Sequence, residues 1–172
     1  MFQDEARLGR ITDPRRCWAP AGVRPEVNAP VVREYEYAFA AVSPHDGSLD
    51  TLVLPSVNTE ARSVFLAEVS QPHANEFIVL VRDGAGWHRA QRWQVPAHRR
   101  LIPLPPWSPP LNPVEHLWDE VREKWFANRV FNSLSAVEEQ LLTALKTLEE
   151  DAPRVASLAG FEWIKTIPLN AH

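Results

Sequence analysis

Alternation of apolar with other side chains predicts strands in the first part of the chain. The alternation at residues 35–41 has the period of a strand, and Asp46-Gly47 predicts a hairpin turn into a second strand at 49–54. The opening MFQDEARL is itself predicted to lie in a strand. The continuous apolar run Phe77–Val81 is typical of a central strand that is buried on both faces.

A helix is predicted between the strand at 49–54 and the apolar run. Asn58 is a good N-cap for a helix at about 59–70, whose apolar side is predicted from Val64, Phe65 and Val69. A short strand at about 100–104 then leads into the proline cluster PLPPWSPPLNP. This order of elements predicts a mixed α/β fold in which helices cover a sheet.

Two more helices are predicted after the proline cluster. The first covers about 113–127, with Asn112 as its cap and Pro113 at the first helical position, where the missing N–H costs nothing. The second covers about 136–150 and begins with a capping box of Ser135 and Glu138. Its apolar stripe consists of Val137, Leu141, Leu145 and Leu148. We interpret this stripe as core, and a dimer seam stays open as the alternative.

Composition points to one soluble globular domain. The chain has 172 residues, of which 45% are hydrophobic and 23% charged. The single cysteine, Cys17, excludes a disulfide framework and a cysteine-rich zinc module, and we expect it to be a buried small hydrophobe. Because no apolar run approaches the ~20 residues of a membrane span and the start is no signal peptide, a reducing, soluble compartment is the expectation.

Charge is unevenly distributed along the chain. The net charge of −4 argues against a nucleic-acid partner, but residues 1–33 carry +2 and residues 82–100 carry +4. The remaining segments, 34–81 and 101–172, carry −6 and −4. Two basic segments in an acidic chain are compatible with binding a phosphate backbone.

Three acidic residues occupy positions that suit chemistry. Asp4 lies in the first predicted strand, Asp83 where a buried strand ends, and Glu115 in the first turn of a helix. Carboxylates from separate elements are the ligands of two-metal phosphoryl transfer, and bound Mg²⁺ would relieve their mutual repulsion. A simpler interpretation of each stays open: a solvated charge for Asp4, a turn residue for Asp83 and a helix-capping group for Glu115.

No nucleotide-binding loop, dinucleotide fingerprint, nucleophile elbow or zinc-protease motif is present. The segment PLPPWSPPLNPVEHLW, however, resembles the SPxLNPxExxW hallmark of DDE transposases of the Tc1/mariner and IS630 superfamily. FQDEARLG, RRCWAPAGVRP, VRDGAGWH and KWFANRVF are similar to IS630-type bacterial transposases in the same order.

The resemblance implies an RNase H-like fold, in which helices flank a mixed five-stranded sheet. It implies Asp4, Asp83 and Glu115 as the catalytic acids and as the ligands of two Mg²⁺ or Mn²⁺ ions. In the family, such ions activate water to nick DNA at transposon ends, and the freed 3′-OH then attacks target DNA. The implied setting is the bacterial cytoplasm, at the nucleoid when bound to DNA, with no membrane partner.

The resemblance also sets expectations for organisation and partners. We expect one catalytic domain over 1–172, with a helical C-terminal extension at about 133–172 and no N-terminal helix-turn-helix domain. A separate or missing DNA-binding domain, a weak salt-sensitive affinity for DNA and a possible homodimer follow as expectations. The residues expected to contact DNA are Arg7, Arg10, Arg15, Arg16, His88, Arg99 and Arg100.

Several alternatives stay open. His88 is a DNA contact, or else a core or surface histidine. Trp18 and Trp87 are packing groups, or else they stack on bases. The chain as a whole is an active transposase domain, a non-catalytic remnant that binds DNA or a partner chain, or a nuclease that uses water alone.

Overall fold

The computed structural model describes residues 1–11, 14–26, 32–83 and 95–166. Five strands form one sheet in the order β3-β2-β1-β4-β5. The strands are β1 Phe2–Gly9, β2 Tyr35–Val42, β3 Leu49–Leu54, β4 Ile78–Arg82 and β5 Arg99–Pro103. The first three pair antiparallel as a meander, whereas β1 with β4 and β4 with β5 pair in parallel. The mixed five-stranded sheet implied by the resemblance is thereby confirmed.

Helices cover both faces of this sheet. They are α1 Thr59–Ser70, α2 Val114–Val121, α3 Leu134–Glu149, α4 Ala152–Ala159 and α5 Glu162–Lys165. A 3₁₀ turn at Pro109–Leu111 precedes α2, and a π-helical turn at Arg122–Phe126 follows it. The helix predicted at 113–127 is therefore confirmed in position and extent, although its last turn is wider than an α-helical turn.

Among the described helices, α1 is the one that covers the first face of the sheet. Its Phe65 packs on Phe39 of β2, with ring centroids 5.5 Å apart, and Leu80 of β4 completes this smaller core. Val64 is 44% exposed, so its predicted place on the apolar side was wrong: Ala61, Phe65, Leu66 and Val69 form the buried stripe. The Asn58 cap is confirmed, since its Oδ1 accepts from the Ala61 N–H at 2.7 Å.

Helices α2, α3 and α4 cover the opposite face and form the larger core. The stripe of Val137, Leu141, Leu145 and Leu148 is fully buried inside the chain, which confirms core and excludes a dimer seam. Helix α3 begins two residues before the predicted start. Its cap is Ser133, whose Oγ accepts from the Ala136 N–H at 3.1 Å, and not the predicted Ser135.

The turn between β2 and β3 requires glycine. Gly47 has a φ of +75°, and a Cβ built there would meet the Ala152 carbonyl oxygen at 2.0 Å. The Ser48 N–H bonds to Asp46 Oδ1 at 3.0 Å, which confirms the predicted Asp46-Gly47 turn. The turn therefore also gives α4 room to approach the sheet.

Two side chains predicted to be buried are exposed. Phe77 precedes β4 and is 58% exposed, so only alternate residues of that run, Ile78 and Leu80, are buried. Cys17 is exposed as well. It lies in a proline-rich segment without regular secondary structure, where no sheet or helix face covers it.

Candidate active site

Strand pairing brings Asp4 and Asp83 to neighbouring positions. Strand β1 pairs in parallel with β4 through Phe2↔Val81 and Gln3↔Arg82. Asp4 on β1 and Asp83, which directly follows the end of β4, are the next residues after this pair. The sheet register therefore places two carboxyl groups from distant parts of the sequence side by side.

Helix α2 brings Glu115 to the same strand. The buried Asn112 donates from Nδ2 to the Gln3 carbonyl at 3.3 Å and accepts at Oδ1 from the Val114 N–H at 3.3 Å. One turn later, the indole N–H of Trp118 donates to Asp4 Oδ2 at 3.1 Å. These bonds hold the first two turns of α2 on β1. Glu115 lies in the first of those turns, and its charge contributes to the raised pKa of Asp4. We call Asp4, Asp83 and Glu115 the acidic site.

Burial and neighbouring negative charges dominate the surroundings of Asp4 among the residues that the structure describes. Burial raises the pKa of Asp4 to about 8, with the negative charges of Glu115, Glu5 and Asp83 adding to the rise. Burial, with the charges of Asp119 and Asp83, also raises the pKa of Glu115, although Arg122 and His116 oppose this rise. The pKa of Asp4 thus responds to both of the other acids of the site, and the pKa of Glu115 responds to Asp83.

The residues of the acidic site fit a divalent cation in charge and donor type. Carboxylate oxygens suit Mg²⁺ and Mn²⁺, and a cation would offset both the burial and the repulsion that raise the pKa of Asp4. Across the described ranges, however, no group of three or more His, Cys, Asp or Glu side chains is gathered tightly enough to hold one ion. The three acids are therefore neighbours, not a preassembled ligand shell.

Glu5 does not join the acidic site through its side chain. Its carboxylate pairs with the buried Arg62 of α1 at 2.7 Å, on the other face of the sheet. This follows from strand alternation, because residues 4 and 5 point to opposite faces.

Trp118 is a further functional candidate. Its hydrogen bond to Asp4 was not predicted from the sequence. We expect Trp118→Phe to keep most of the packing but to lose the Asp4 hydrogen bond, lowering the free energy of unfolding by about 2 kcal/mol. We also expect it to weaken Mn²⁺ binding measured by calorimetry. The matched control is Trp125→Phe on the following π-helical turn. A loss of stability without any change in Mn²⁺ affinity would limit Trp118 to packing.

Two of the expected DNA contacts, Arg7 and Arg10, have partners within the fold. Arg7 is exposed on β1 and stacks over the Tyr35 ring, 4.3 Å from its centroid. Arg10 pairs with Glu34 at 2.8 Å and donates to the Phe131 carbonyl at 3.1 Å. Arg10 thus ties the end of β1 to the segment before α3.

The remaining expected contacts are spread over the surface. Arg15, Arg16 and Arg100 are exposed, and Arg15 lies 3.8 Å from Glu123. His88 and Trp87 lie outside the described residues. Trp18 is fully exposed, so the packing interpretation of this side chain was wrong.

Arg99 differs from the other expected contacts because it is buried. Its guanidinium donates to Ser70 Oγ at 3.1 Å and to the carbonyls of Glu76 and Val69, at 3.1 and 3.4 Å. It therefore satisfies hydrogen-bond acceptors at the end of α1 and in the following turn. Its charge is engaged there and is not available to a ligand. The reason is its position at the start of β5, directly beside that helix end.

We expect Arg99→Met to destabilise the fold by about 3 kcal/mol, because buried carbonyls lose their donor. Arg100→Met, the exposed neighbour, should change stability by less than about 0.5 kcal/mol. Urea unfolding of both variants measures the difference. Equal stabilities would contradict the structural role of Arg99.

Comparison with known proteins gives one family. The family model described as DDE superfamily endonuclease matches residues 1–138. A protein of Sinorhizobium fredii (strain NBRC 101917 / NGR234), named uncharacterized protein y4pE/y4sA, is 36% identical over 130 residues. That match covers 75% of this chain and 96% of the relative.

Solved structures share the fold. The Mos1 transposase paired-end complex with left transposon end superposes with a TM-score of 0.60 at 15% identity, over 92% of this chain and 55% of that one. The Mos1 mariner paired end complex with Mn gives a TM-score of 0.58 at 17% identity, over 93% of this chain and 55% of that one. The chain thus spans about half the length of these transposases. In its described part, no helix has the length and apolarity needed to cross a membrane.

Proposed function

Because the chain belongs to the DDE superfamily endonucleases, we propose that it is the catalytic domain of an IS630-type transposase of the Tc1/mariner superfamily. In this proposal it nicks transposon ends and joins the freed ends to target DNA. Asp4, Asp83 and Glu115 are the catalytic acids, and together they hold divalent cations.

The observation that carries the proposal is that the three acids lie on neighbouring elements. Parallel pairing of β1 with β4 sets Asp4 beside Asp83, and α2 is hydrogen-bonded to the same part of β1. A helix cap or a solvated charge explains each acid alone but does not explain why all three lie on elements that pack against one another. Burial of a carboxyl with a pKa of about 8 among other acids costs stability, which is characteristic of a functional site.

Each residue has a distinct role in this proposal. When bound, Mg²⁺ or Mn²⁺ activates the attacking oxygen and stabilises the leaving oxygen of the phosphodiester. Asp4, Asp83 and Glu115 are its ligands. Trp118 is a positioning residue that holds one oxygen of Asp4, and Asn112 positions the start of α2. We propose two ions, because the attacking oxygen and the leaving oxygen of the phosphodiester both need stabilisation.

The partners follow from the proposed activity. The fold neighbours include Mos1 complexes with a transposon end and with Mn or Mg. By analogy, we propose transposon-end and target DNA as the partners of this chain, in the bacterial cytoplasm. Sequence-specific binding of the ends is assigned to a DNA-binding domain outside these 172 residues, and a homodimer is proposed to pair the two ends.

The test is cleavage and joining of labelled DNA. Duplexes carrying the terminal sequences of the encoding element are incubated with the chain, Mn²⁺ and a DNA-binding domain supplied in trans. We expect nicks at the ends, followed by joined products with target DNA. Joined products would eliminate a nuclease that uses water alone, whereas nicks without joining would replace the proposed transposase with that nuclease.

A non-catalytic remnant is the second candidate. It is favoured by one observation: in the described ranges, the acids are not gathered into a three-ligand group. This candidate predicts DNA binding without nicking under any divalent cation. DNA binding that persists while both nicking and Mn²⁺ binding fail would establish it over the transposase.

A further inference from the structure

We infer that the exposed indole of Trp107 stacks on an unpaired base of the substrate DNA, close to the phosphate that reacts. This inference rests on the proposed function, because it assigns a contact to the same substrate. Trp107 lies between β5 and α2, in residues 104–112, which we call the proline loop.

Both ends of the proline loop are tied to residues beside the acidic site. At its start, the Leu104 N–H donates at 2.6 Å to the carbonyl of the residue before Asp83. At its end, Asn112 Nδ2 donates at 3.3 Å to the carbonyl of the residue before Asp4. Because β4 lies between β5 and β1 in the sheet, the proline loop passes the end of β4. The loop therefore borders the acidic site.

Trp107 is held in a strained and exposed position. Its backbone has a φ of +59°, a region that bulky side chains rarely adopt. The side chain is 98% exposed, so packing within the chain does not offset this strain. Backbone strain of this kind is typical of residues that contact a ligand.

Prolines fix the shape of the proline loop around this side chain. Two prolines come directly before Trp107, and two more follow Ser108. Each proline ring locks its own φ, and the Leu111 N–H bonds to the Ser108 carbonyl at 3.0 Å. Because a rigid loop loses little conformational entropy on binding, the indole is preorganised for a ligand.

The surroundings of Trp107 fit a nucleic-acid base better than a protein segment. The proline loop contains no acidic side chain that would repel DNA phosphates. Leu111 is only 39% exposed, so Trp107 offers one flat surface and not an apolar groove. Prolines lack an N–H, so the loop is poorly suited to extend the sheet of a partner. Stacking on a base needs one flat aromatic surface and tolerates any base.

The reach of the loop limits where that base lies. Leu104 is level with Asp83, because β4 pairs with β5 through Arg82↔Pro103. Trp107 follows three residues later, so its Cα lies within about 11 Å of the Leu104 Cα. Successive phosphates of a DNA strand advance about 3.4 Å along the helix axis. The contacted base therefore lies within about three nucleotides of the reacting phosphate, and it must leave the duplex stack to meet the indole.

The test is photocrosslinking to DNA that carries 5-iodouracil at one position at a time around the nick. Duplexes with the terminal sequences of the encoding element are mixed with the chain and the DNA-binding domain in trans, with Ca²⁺ replacing Mn²⁺. We expect a crosslink within about three nucleotides of the nick, and the crosslinked peptide should contain Trp107. Trp107→Leu should lose this crosslink and bind the DNA about tenfold more weakly, whereas Trp107→Phe should keep most of the affinity.

Phe77→Leu is the matched control, because it also replaces an exposed aromatic side chain by leucine. Phe77 precedes β4 whereas Asp83 follows it, so the two residues lie at opposite ends of one strand. This variant should keep the crosslink and the native affinity. Thermal melting of every variant checks folding, and sedimentation of the free chain detects self-association.

Three outcomes would overturn the inference: no crosslink near the nick with the native chain, native affinity in Trp107→Leu, or self-association of the free chain that Trp107→Leu abolishes. The last would make Trp107 part of an interface between copies of the chain. Nicking by the native chain without a Trp107 crosslink would overturn the inference alone. A Trp107 crosslink without any nicking in Mn²⁺ would instead remove the proposed transposase activity and leave Trp107 as a DNA contact.

Discussion

Asp83→Asn is expected to reduce Mn²⁺-dependent DNA nicking by about 10³-fold or more. Asparagine keeps the size of the side chain but removes the charge that attracts the cation. Loss of metal-based stabilisation of several kcal/mol corresponds to at least this factor in rate. Because Asp83 follows β4 and lies outside both cores, the variant should fold as the native chain does.

Glu68→Gln is the control for that experiment. Glu68 is an exposed acid on α1, so the substitution changes the net charge equally without touching the acidic site. Nicking by Glu68→Gln at the native rate, with Asp83→Asn nearly inactive, supports the assigned role. Comparable activity in both variants would remove Asp83 from the catalytic set.

The second large effect is a loss of stability as pH rises in the absence of divalent cations. The pKa of Asp4 is about 8 in the folded chain, against 3.8 for an ordinary aspartate. Between these values the folded state holds a proton that the unfolded state has released. The free energy of unfolding therefore falls with rising pH, by about 4 kcal/mol between pH 5 and pH 8.

Asp4→Asn isolates this contribution. Asparagine has no titrating proton and still accepts a hydrogen bond from the Trp118 indole. The unfolding free energy of the Asp4→Asn variant should therefore not show this decrease with rising pH. Urea unfolding in EDTA at several pH values gives the difference between the two chains, and adding Mn²⁺ at pH 8 should stabilise only the native chain. Parallel pH curves for the two chains would contradict the environment described for Asp4.

The local signals in the sequence were sufficient for the strands of the sheet. Alternation at 35–41 and the Asp46-Gly47 pair predicted β2 and the hairpin because strand period and turn chemistry are local properties. The motif resemblance then placed Asp4, Asp83 and Glu115 on elements that the structure brings together.

What could not be predicted depends on contacts between distant residues. Arg99 and Arg100 are equivalent in the sequence, yet only Arg99 is buried, because the end of α1 lies beside it. Cys17 was expected inside from its residue type alone, but a proline-rich segment carries it to the surface. The capping box of Ser135 and Glu138 was a plausible pattern, and packing of α3 favoured Ser133 instead.

Trp118 shows how a motif can contain a role that spacing does not reveal. Its position three residues after Glu115 does not by itself indicate a contact with Asp4. The hydrogen bond to Asp4 depends on how α2 sits on β1, which Asn112 sets from the other end. Tertiary placement thus gives a packing residue a second function.

Calorimetric titration with Mn²⁺ tests the shared cation site most directly. The native chain should bind Mn²⁺, and Asp4→Asn, Asp83→Asn and Glu115→Gln should each bind it at least tenfold more weakly, while Glu68→Gln binds as the native chain does. Native affinity in all three acid variants would show that these carboxylates do not hold a common metal, and the proposed catalytic site would have to be abandoned.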